Sequence, residues 1–547
     1  MIEAYKFIRI YYKDKIRVYI YIICSLLAKI CMLIIPYLTK VLIDQIQFGN
    51  LEKFKNIVFL LILTMIVFSI FLSSKYYYQN YIEIDILNQL KRDILIKTFN
   101  MKNEEIKYLT IGELIQKVFT DTEVIKPLII STYIEYIINI IYVISIIIII
   151  FFMNKIITVI LLILIPIFII FYKIYVPRIK DISSKVIKED ENLKSLTEEF
   201  LSGNIDIKVN SAYKFIEYKL KDKLNVYFKF VLKKTKYIMK YNYILVTGIM
   251  NLATLLIYCF GGYLVFKNKI SIGTLVSFTL YFSKLWDPVE YFMEFSKELK
   301  VQILSLERIK SFLQREEEKE ILKEILPKYK KLKIENLSFS YDKRIILDKL
   351  NLEINVGDII GIKGGNGVGK STLANIITKL IDNYEGSIIY NDINYKNIDP
   401  RSIRKKIIYI PAKPFLFRGS IFENITLMDS NENSKLKFKE RKDMQQLIEI
   451  LISNKRDLNM KINNQINNLS SGEQKIIQIL RGIFLDGDVY IFDEPVNYVD
   501  KKYKQILINF IKNNLNSKSV IIISHDEDIF ECCKKVYKLD KNLTIVR

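Results

Sequence analysis

Six apolar stretches in the first 300 residues, each long enough for the roughly 20 helical residues that cross a hydrocarbon core, constrain this chain more than any other feature. They lie near residues 17–38, 56–75, 128–152, 155–176, 241–266 and 272–293. The intervals 75–126 and 173–240 are rich in lysine, whereas the turns at 153–155 and 267–269 are very short. Membrane proteins keep basic loops on the cytoplasmic side, so the long intervals and both ends of the chain are expected inside the cell. Those intervals also hold a helical period, as in IEIDILNQLKRDILIKTF. The membrane helices are therefore expected to run on into the cytoplasm as stalks, with short helices at their tips. The opening MIEAYKFIRIYYKDKIR leads into the first apolar stretch without a small-residue cleavage site. It is expected to remain as a membrane helix and not to leave as a signal peptide.

Composition enters where it separates alternatives. A net charge of +22 suits nucleic-acid binding, but the lysines and arginines gather between the apolar stretches, which positive-inside topology explains and nucleic-acid binding does not. No nucleic-acid partner is expected. Abundant Ile, Lys, Asn and Tyr reflect an AT-rich genome and raise the basic count. The five cysteines, Cys24, Cys31, Cys259, Cys532 and Cys533, have no metal or disulfide spacing and read as small apolar residues.

Around 316–331 the run REEEKEILKEILPKYKK marks a linker. Beyond it, β-branched runs alternate with helical patterns in KIENLSFSY, GDIIGIKG, KKIIYIP, DVYIFDEP and SVIIISHD, the rhythm of an α/β domain with a largely parallel sheet. The expected organisation is 1–312 a six-helix membrane domain, 313–330 a linker and 331–547 an α/β nucleotide-binding domain.

Gly364, Gly365, Asn366, Gly367, Val368, Gly369, Lys370, Ser371 and Thr372 follow one strand and open a helix, which is the setting a phosphate-binding loop requires. Its glycines turn backbone N–H groups toward phosphates, Lys370 reaches the β and γ phosphates, and Ser371 ligates Mg²⁺. ATP and Mg²⁺ are the cofactors expected. A second strand ends in Asp493 and Glu494 at the sheet edge where ligands bind in open α/β folds. Asp493 is a Mg²⁺ ligand candidate, and Glu494 is placed to orient or deprotonate a water.

Leu469-Ser470-Ser471-Gly472-Glu473-Gln474 at the start of a helical pattern resembles the signature motif of ABC transporters. On that resemblance, Ser470 and Gly472 cap the ATP held by a partner's phosphate loop, Tyr341 stacks on adenine, Asp500 closes the loop after the catalytic Glu494, and His525 is the switch histidine touching the γ-phosphate. His525 is the only histidine in the chain and follows the apolar strand VIIIS. The membrane half is similar to ABC exporters in more diffuse patterns, with Gly112 and Asp121 in the first cytoplasmic loop at familiar places.

The pattern breaks at Ala412, where the family carries a glutamine that touches Mg²⁺ and the attacking water; slower hydrolysis or altered coupling is expected. Milder departures are Ile476 after the signature and Val496-Asn497-Tyr498-Val499 before Asp500. Lys29, in the middle of the first apolar stretch, costs about 2.5–3.5 kcal/mol to insert, so it lines a translocation cavity for anionic cargo, pairs within the bundle, or snorkels from a helix shifted in depth. Asn139, Asn242 and Asn251 read as contacts between helices.

The resemblance implies a membrane α-helical domain of ABC exporter type plus an α/β P-loop NTPase domain. The function expected is an ATPase-coupled exporter half-transporter working by alternating access with a second subunit, a homodimer ahead of a heterodimer. It would sit in a bacterial cell membrane among lipids and move a peptide, lipid or amphipathic small molecule as cargo. The alternatives are an ATP-binding membrane regulator and the weakly hydrolysing subunit of a heterodimer. No peptidase domain precedes the first helix, so leader cleavage by this chain is not expected.

Overall fold

The computed structural model describes residues 10–11, 14–107, 109–162, 164–241, 243, 247–318, 326–341, 344–427, 436–438, 440–453, 456–462, 469–497 and 501–546. Asn242, Tyr498, Val499 and Asp500 lie outside the described residues. The chain divides into two compact units, one of residues 1–94 and 115–312, the other of residues 95–114 and 313–547.

The first unit is built of long helices. Lys15–Phe48 begins where the Asp14 carboxylate accepts from the Arg17 N–H, and ends at Gly49, whose φ of +69° is a left-handed cap that glycine adopts without strain. Leu51–Asn100 follows, then Ser131–Met153, Lys155–Leu162 and Leu164–Ser202, Tyr213–Met239, Thr247–Phe266, Ile272–Lys284 and Trp286–Leu313. Short helices lie at Asn204–Val209 in this unit and at Asn103–Lys107 in the second. Among the described residues, four helical stretches are long and apolar enough to cross a membrane: Lys15–Phe48, Leu51–Asn100, Ile111–Met153 and Thr247–Phe266. The last apolar stretch departs from one continuous helix and breaks at Leu285. Pro288 has no N–H to give to the Lys284 carbonyl, so the helical ladder cannot run through. Asp121 is buried here and takes a bidentate pair from Arg308, at 2.6 and 3.1 Å.

Among the described residues the second unit carries twelve strands: β1 (Lys331–Tyr341), β2 (Arg344–Asn355), β3 (Ile359–Lys363), β4 (Glu385–Tyr390), β5 (Ile393–Asn394), β6 (Ile407–Ile410), β7 (Gly419–Ser420), β8 (Lys461–Ile462), β9 (Val489–Asp493), β10 (Ser519–Ile523), β11 (Lys535–Asp540) and β12 (Asn542–Ile545). The main sheet runs β12-β11-β3-β10-β9-β6, parallel except for β12. A separate antiparallel sheet, β2-β1-β4-β5, lies in the same unit. Tyr341 ends β1 and stands opposite Arg344 at the turn into β2, because the apolar alternation of β1 continues to the turn.

Strands β9 and β10 are covered on both faces, which is why they are apolar throughout. Tyr490, Phe492, Val520 and Ile522 pack with the helices Gln445–Ser453, Ser471–Phe484 and Lys501–Asn514. Val489, Ile491, Ile521 and Ile523 pack with the antiparallel sheet and the helix Lys370–Ile377. Residues 95–114 are tied into this unit by charge: Lys97 pairs with Glu317 at 2.8 Å, Lys102 with Glu316, and Arg315 with Glu105 at 3.3 Å. Glu318 holds Arg404 in a bidentate pair at 2.7 and 2.9 Å.

Candidate nucleotide site

Strand register brings the chemistry together. Ile523 stands opposite both Ile362 and Asp493, so the residues that follow β3, β10 and β9 emerge side by side at one sheet edge. From β3 comes the phosphate loop, from β10 Ser524 and His525, and from β9 Glu494. A cavity of about 410 Å³ opens there, lined by Tyr341, Gly365, Asn366, Gly367, Gly369, Lys370, Ser371, Thr372, Asp493, Glu494 and His525, together with Ala412. Gly364 and Val368 belong to the same loop but do not line the cavity, and Ser470 and Gly472 also lie apart from it.

The loop can fold only with its glycines. Gly367 and Gly369 have φ of +78° and +106°, and a Cβ on Gly369 would come within 2.7 Å of Ile346 Cγ2. Gly369→Ala is expected to abolish measurable ATP binding in an equilibrium titration while the membrane half still inserts; retained binding would show that the loop tolerates a different path. Lys370 Nζ donates to the carbonyls of Gly364 at 2.6 Å and Gly365 at 3.0 Å, and stands 2.8 Å from His525 Nε2. An ammonium has no acceptor, so His525 accepts at Nε2 and carries its proton on Nδ1. Burial draws Lys370 below the ordinary lysine range, while Glu494 and Asp493 pull it back up.

Asp493 Oδ2 accepts from Ser371 Oγ at 3.0 Å and from the Tyr409 hydroxyl at 2.9 Å. A hydroxyl and a carboxylate oxygen this close are the hard donors that Mg²⁺ takes, so the residues present fit that ion. Burial pushes the Tyr409 phenol well above its usual range, which keeps it a hydrogen-bond donor.

Glu494 is a non-glycine residue in the left-handed region, with φ of +46°, and is 8% exposed. Such a conformation costs of order 1–3 kcal/mol and persists only when the surroundings impose it. Here the Glu494 N–H donates to the Ile523 carbonyl at 2.8 Å, and its Oε2 accepts from Ser524 Oγ at 3.2 Å and the His525 N–H at 3.4 Å. His525 Nε2 lies 3.6 Å from Oε1.

Ser470 is the N-cap of Ser471–Phe484, in a reciprocal capping box with Glu473 that leaves its own O–H as a donor. Arg456 neutralises Glu473 through contacts of 3.0 and 3.3 Å. Sequence reasoning missed three residues here. Tyr409 was a strand residue among apolar ones. Lys107 stands 3.2 Å from the Tyr341 hydroxyl and 4.4 Å from its ring centroid. Lys475 is wholly buried and donates to the carbonyls of Pro411 at 2.8 Å, Ala412 at 3.2 Å and Asp493 at 3.0 Å.

The family model for the ABC transporter transmembrane region matches residues 18–289, and the ABC transporter model matches residues 347–497. The chain belongs to the ABC transporter family. It has the layout of an ABC exporter half-transporter, a multi-pass membrane domain followed by an ATP-binding domain. It is 28% identical over 303 residues to the lactococcin-G-processing and transport ATP-binding protein of Lactococcus lactis, covering 54% of this chain and 42% of that protein. A microcin-J25 export ATP-binding/permease protein of Escherichia coli is 27% identical over 64% of this chain and 60% of its own length. The chain thus spans about half the length of these relatives. A Rickettsia typhi protein described as an export ATP-binding/permease protein matches at 25% identity over 99% of this chain and 94% of its own length. The structure of a bacterial Atm1-family ABC exporter with ATP bound shares the fold, with a TM-score of 0.79, 17% identity, and coverage of 96% of this chain and 94% of that chain.

Proposed function

We propose that this ABC half-transporter exports an amphipathic cargo across a bacterial cytoplasmic membrane by alternating access, driven by ATP bound between two such chains. The observation that carries this reading is the meeting of Lys370, Ser371, Asp493, Glu494 and His525 around one cavity in a chain that also holds membrane-length helices. In this reading residues 1–312 are the six-helix membrane domain, 313–330 the linker and 331–547 the ATP-binding domain, with both ends of the chain cytoplasmic.

Tyr341 carries the adenine, the phosphate loop from Gly364 to Thr372 and Lys370 hold the phosphates, and Glu494 takes the proton of the attacking water. His525, oriented by Lys370, supports the γ-phosphate. Ser371 and Asp493 would hold Mg²⁺, which when bound neutralises phosphate charge. Ser470 and Gly472 act on the nucleotide of the partner subunit, so one chain is not enough.

Ala412 lining the cavity favours a second reading, in which this chain is the weaker hydrolysing half of a heterodimer. Purified protein in lipid, assayed for ATP hydrolysis with and without candidate peptides, lipids and drugs, separates the two. Cargo-stimulated hydrolysis, lost when EDTA removes Mg²⁺, supports the homodimer; ATP binding without turnover supports the heterodimer. Ala412→Gln is expected to raise turnover, and Tyr341→Ala to raise the KM for ATP while leaving kcat nearly unchanged, since stacking binds ground and transition states alike.

A further inference from the structure

Two helices of the membrane half face each other through polar side chains at helical spacing. Lys15–Phe48 presents Tyr21, Ser25 and Lys29, and Ser131–Met153 presents Glu135, Asn139 and Tyr142. At one end the Tyr21 hydroxyl donates to Glu135 Oε1 at 2.9 Å, and Lys75 pairs with the same oxygen at 2.8 Å. Glu135 is therefore already engaged by two partners.

Eight residues further along the first helix, about 12 Å at the helical rise, Lys29 Nζ stands 4.5 Å from the Tyr142 ring centroid. Among the described residues Lys29 has no hydrogen bond or ion pair. Beside it, Asn139 Oδ1 and the Tyr142 hydroxyl are also unpartnered, on side chains 5% and 2% exposed. The charged groups acting on Lys29 are Glu135 and Asp287 on one side and Lys75 and Lys284 on the other. Met32 and Leu33, a turn beyond Lys29, pack in the apolar cluster around Tyr142.

A buried orphan amide, an orphan hydroxyl and an ammonium without a counterion, grouped in an apolar bundle, are costly unless something fills them. We propose that Lys29, Asn139 and Tyr142 receive the anionic head, carboxylate or phosphate, of an amphipathic ligand whose apolar body lies along Met32 and Leu33. The ammonium supplies the charge and Tyr142 an O–H donor. Asn139 can turn its amide to place Nδ2 where Oδ1 now stands, the two ends being interchangeable in shape. The proposal rests on the export reading and names the cargo class.

The test uses the full chain carrying Glu494→Gln in phosphatidylcholine nanodiscs, so that binding is read without turnover. Oleate and oleyl alcohol, which differ only at the head, are titrated as probes. Oleate is expected to bind at least about tenfold more tightly, the worth of one charge-assisted contact. Lys29→Met should erase that preference, Lys29→Arg should keep it, and Tyr142→Phe should weaken oleate several-fold but not the alcohol. Equal affinities, or a preference that survives Lys29→Met and Tyr142→Phe, overturn the site. Phosphatidylglycerol nanodiscs then identify the source: competition with oleate marks a lipid head, and its absence marks a free amphiphile, each supporting the anion site. Cargo-stimulated hydrolysis by the chain with Glu494 intact is read separately. Its absence alongside selective binding would overturn export by two such chains in favour of the heterodimer and leave the site standing.

Discussion

Glu494→Gln is expected to lower ATP hydrolysis by about 10²–10⁴-fold, the range contributed by a positioned general base, while ATP affinity stays within about twofold. The expectation follows from the geometry of this side chain. Its backbone is held in the left-handed region with its N–H donating to the Ile523 carbonyl, and Ser524 and His525 donate to the carboxylate beside the cavity. Glutamine keeps the shape and the acceptor oxygen, so those contacts survive and only the proton-accepting power is lost. The measurement is single-turnover hydrolysis together with nucleotide binding on the same preparation. A loss smaller than tenfold would remove Glu494 from the role of base; a parallel loss of binding would mean that the substitution had disturbed the loop instead.

Glu494 was legible in the sequence because an apolar strand buried on both faces ends abruptly in charge, and the same contrast marks Ser524-His525 after β10. The phosphate loop was legible because glycine spacing between a strand and a helix states a backbone conformation directly. What the sequence hid depends on tertiary adjacency. Tyr409 sits on β6, next to β9 in the sheet, although 84 residues separate it from Asp493. Lys29 was legible as an anomaly, but its partner in the bundle is the Tyr142 ring and not a carboxylate. The break at Leu285 falls where Lys284, Asp287 and Pro288 interrupt the last apolar stretch.

Lys475 is the case with the largest consequence. It follows the signature motif on a helix whose opposite faces both meet protein, and hydropathy alone would place such a lysine in solvent. Instead its ammonium is buried among three carbonyls, two from the turn at Pro411 and Ala412 and one from Asp493. Burial drives it down to about 8, with Asp493 and Glu494 opposing. Lys475→Met keeps the length and apolar stem but leaves those carbonyls without a donor. Breaking a buried charged network in this way costs about 3–5 kcal/mol, and the thermal midpoint of the ATP-binding domain is expected to fall by roughly 10 °C. The same lysine joins the turn bearing Ala412, the signature helix and the strand bearing Asp493, so its loss should also displace the catalytic edge. At a temperature well below the lowered midpoint, kcat is expected to fall more than about tenfold with little change in the KM for ATP, because Lys370 and the phosphate loop are untouched. Calorimetry and steady-state kinetics on one preparation decide between the two roles. A lowered midpoint with unchanged kcat would make Lys475 a structural tie alone. A fall in both would make it the residue that holds this chain's catalytic edge in place where Ala412 supplies no side-chain amide.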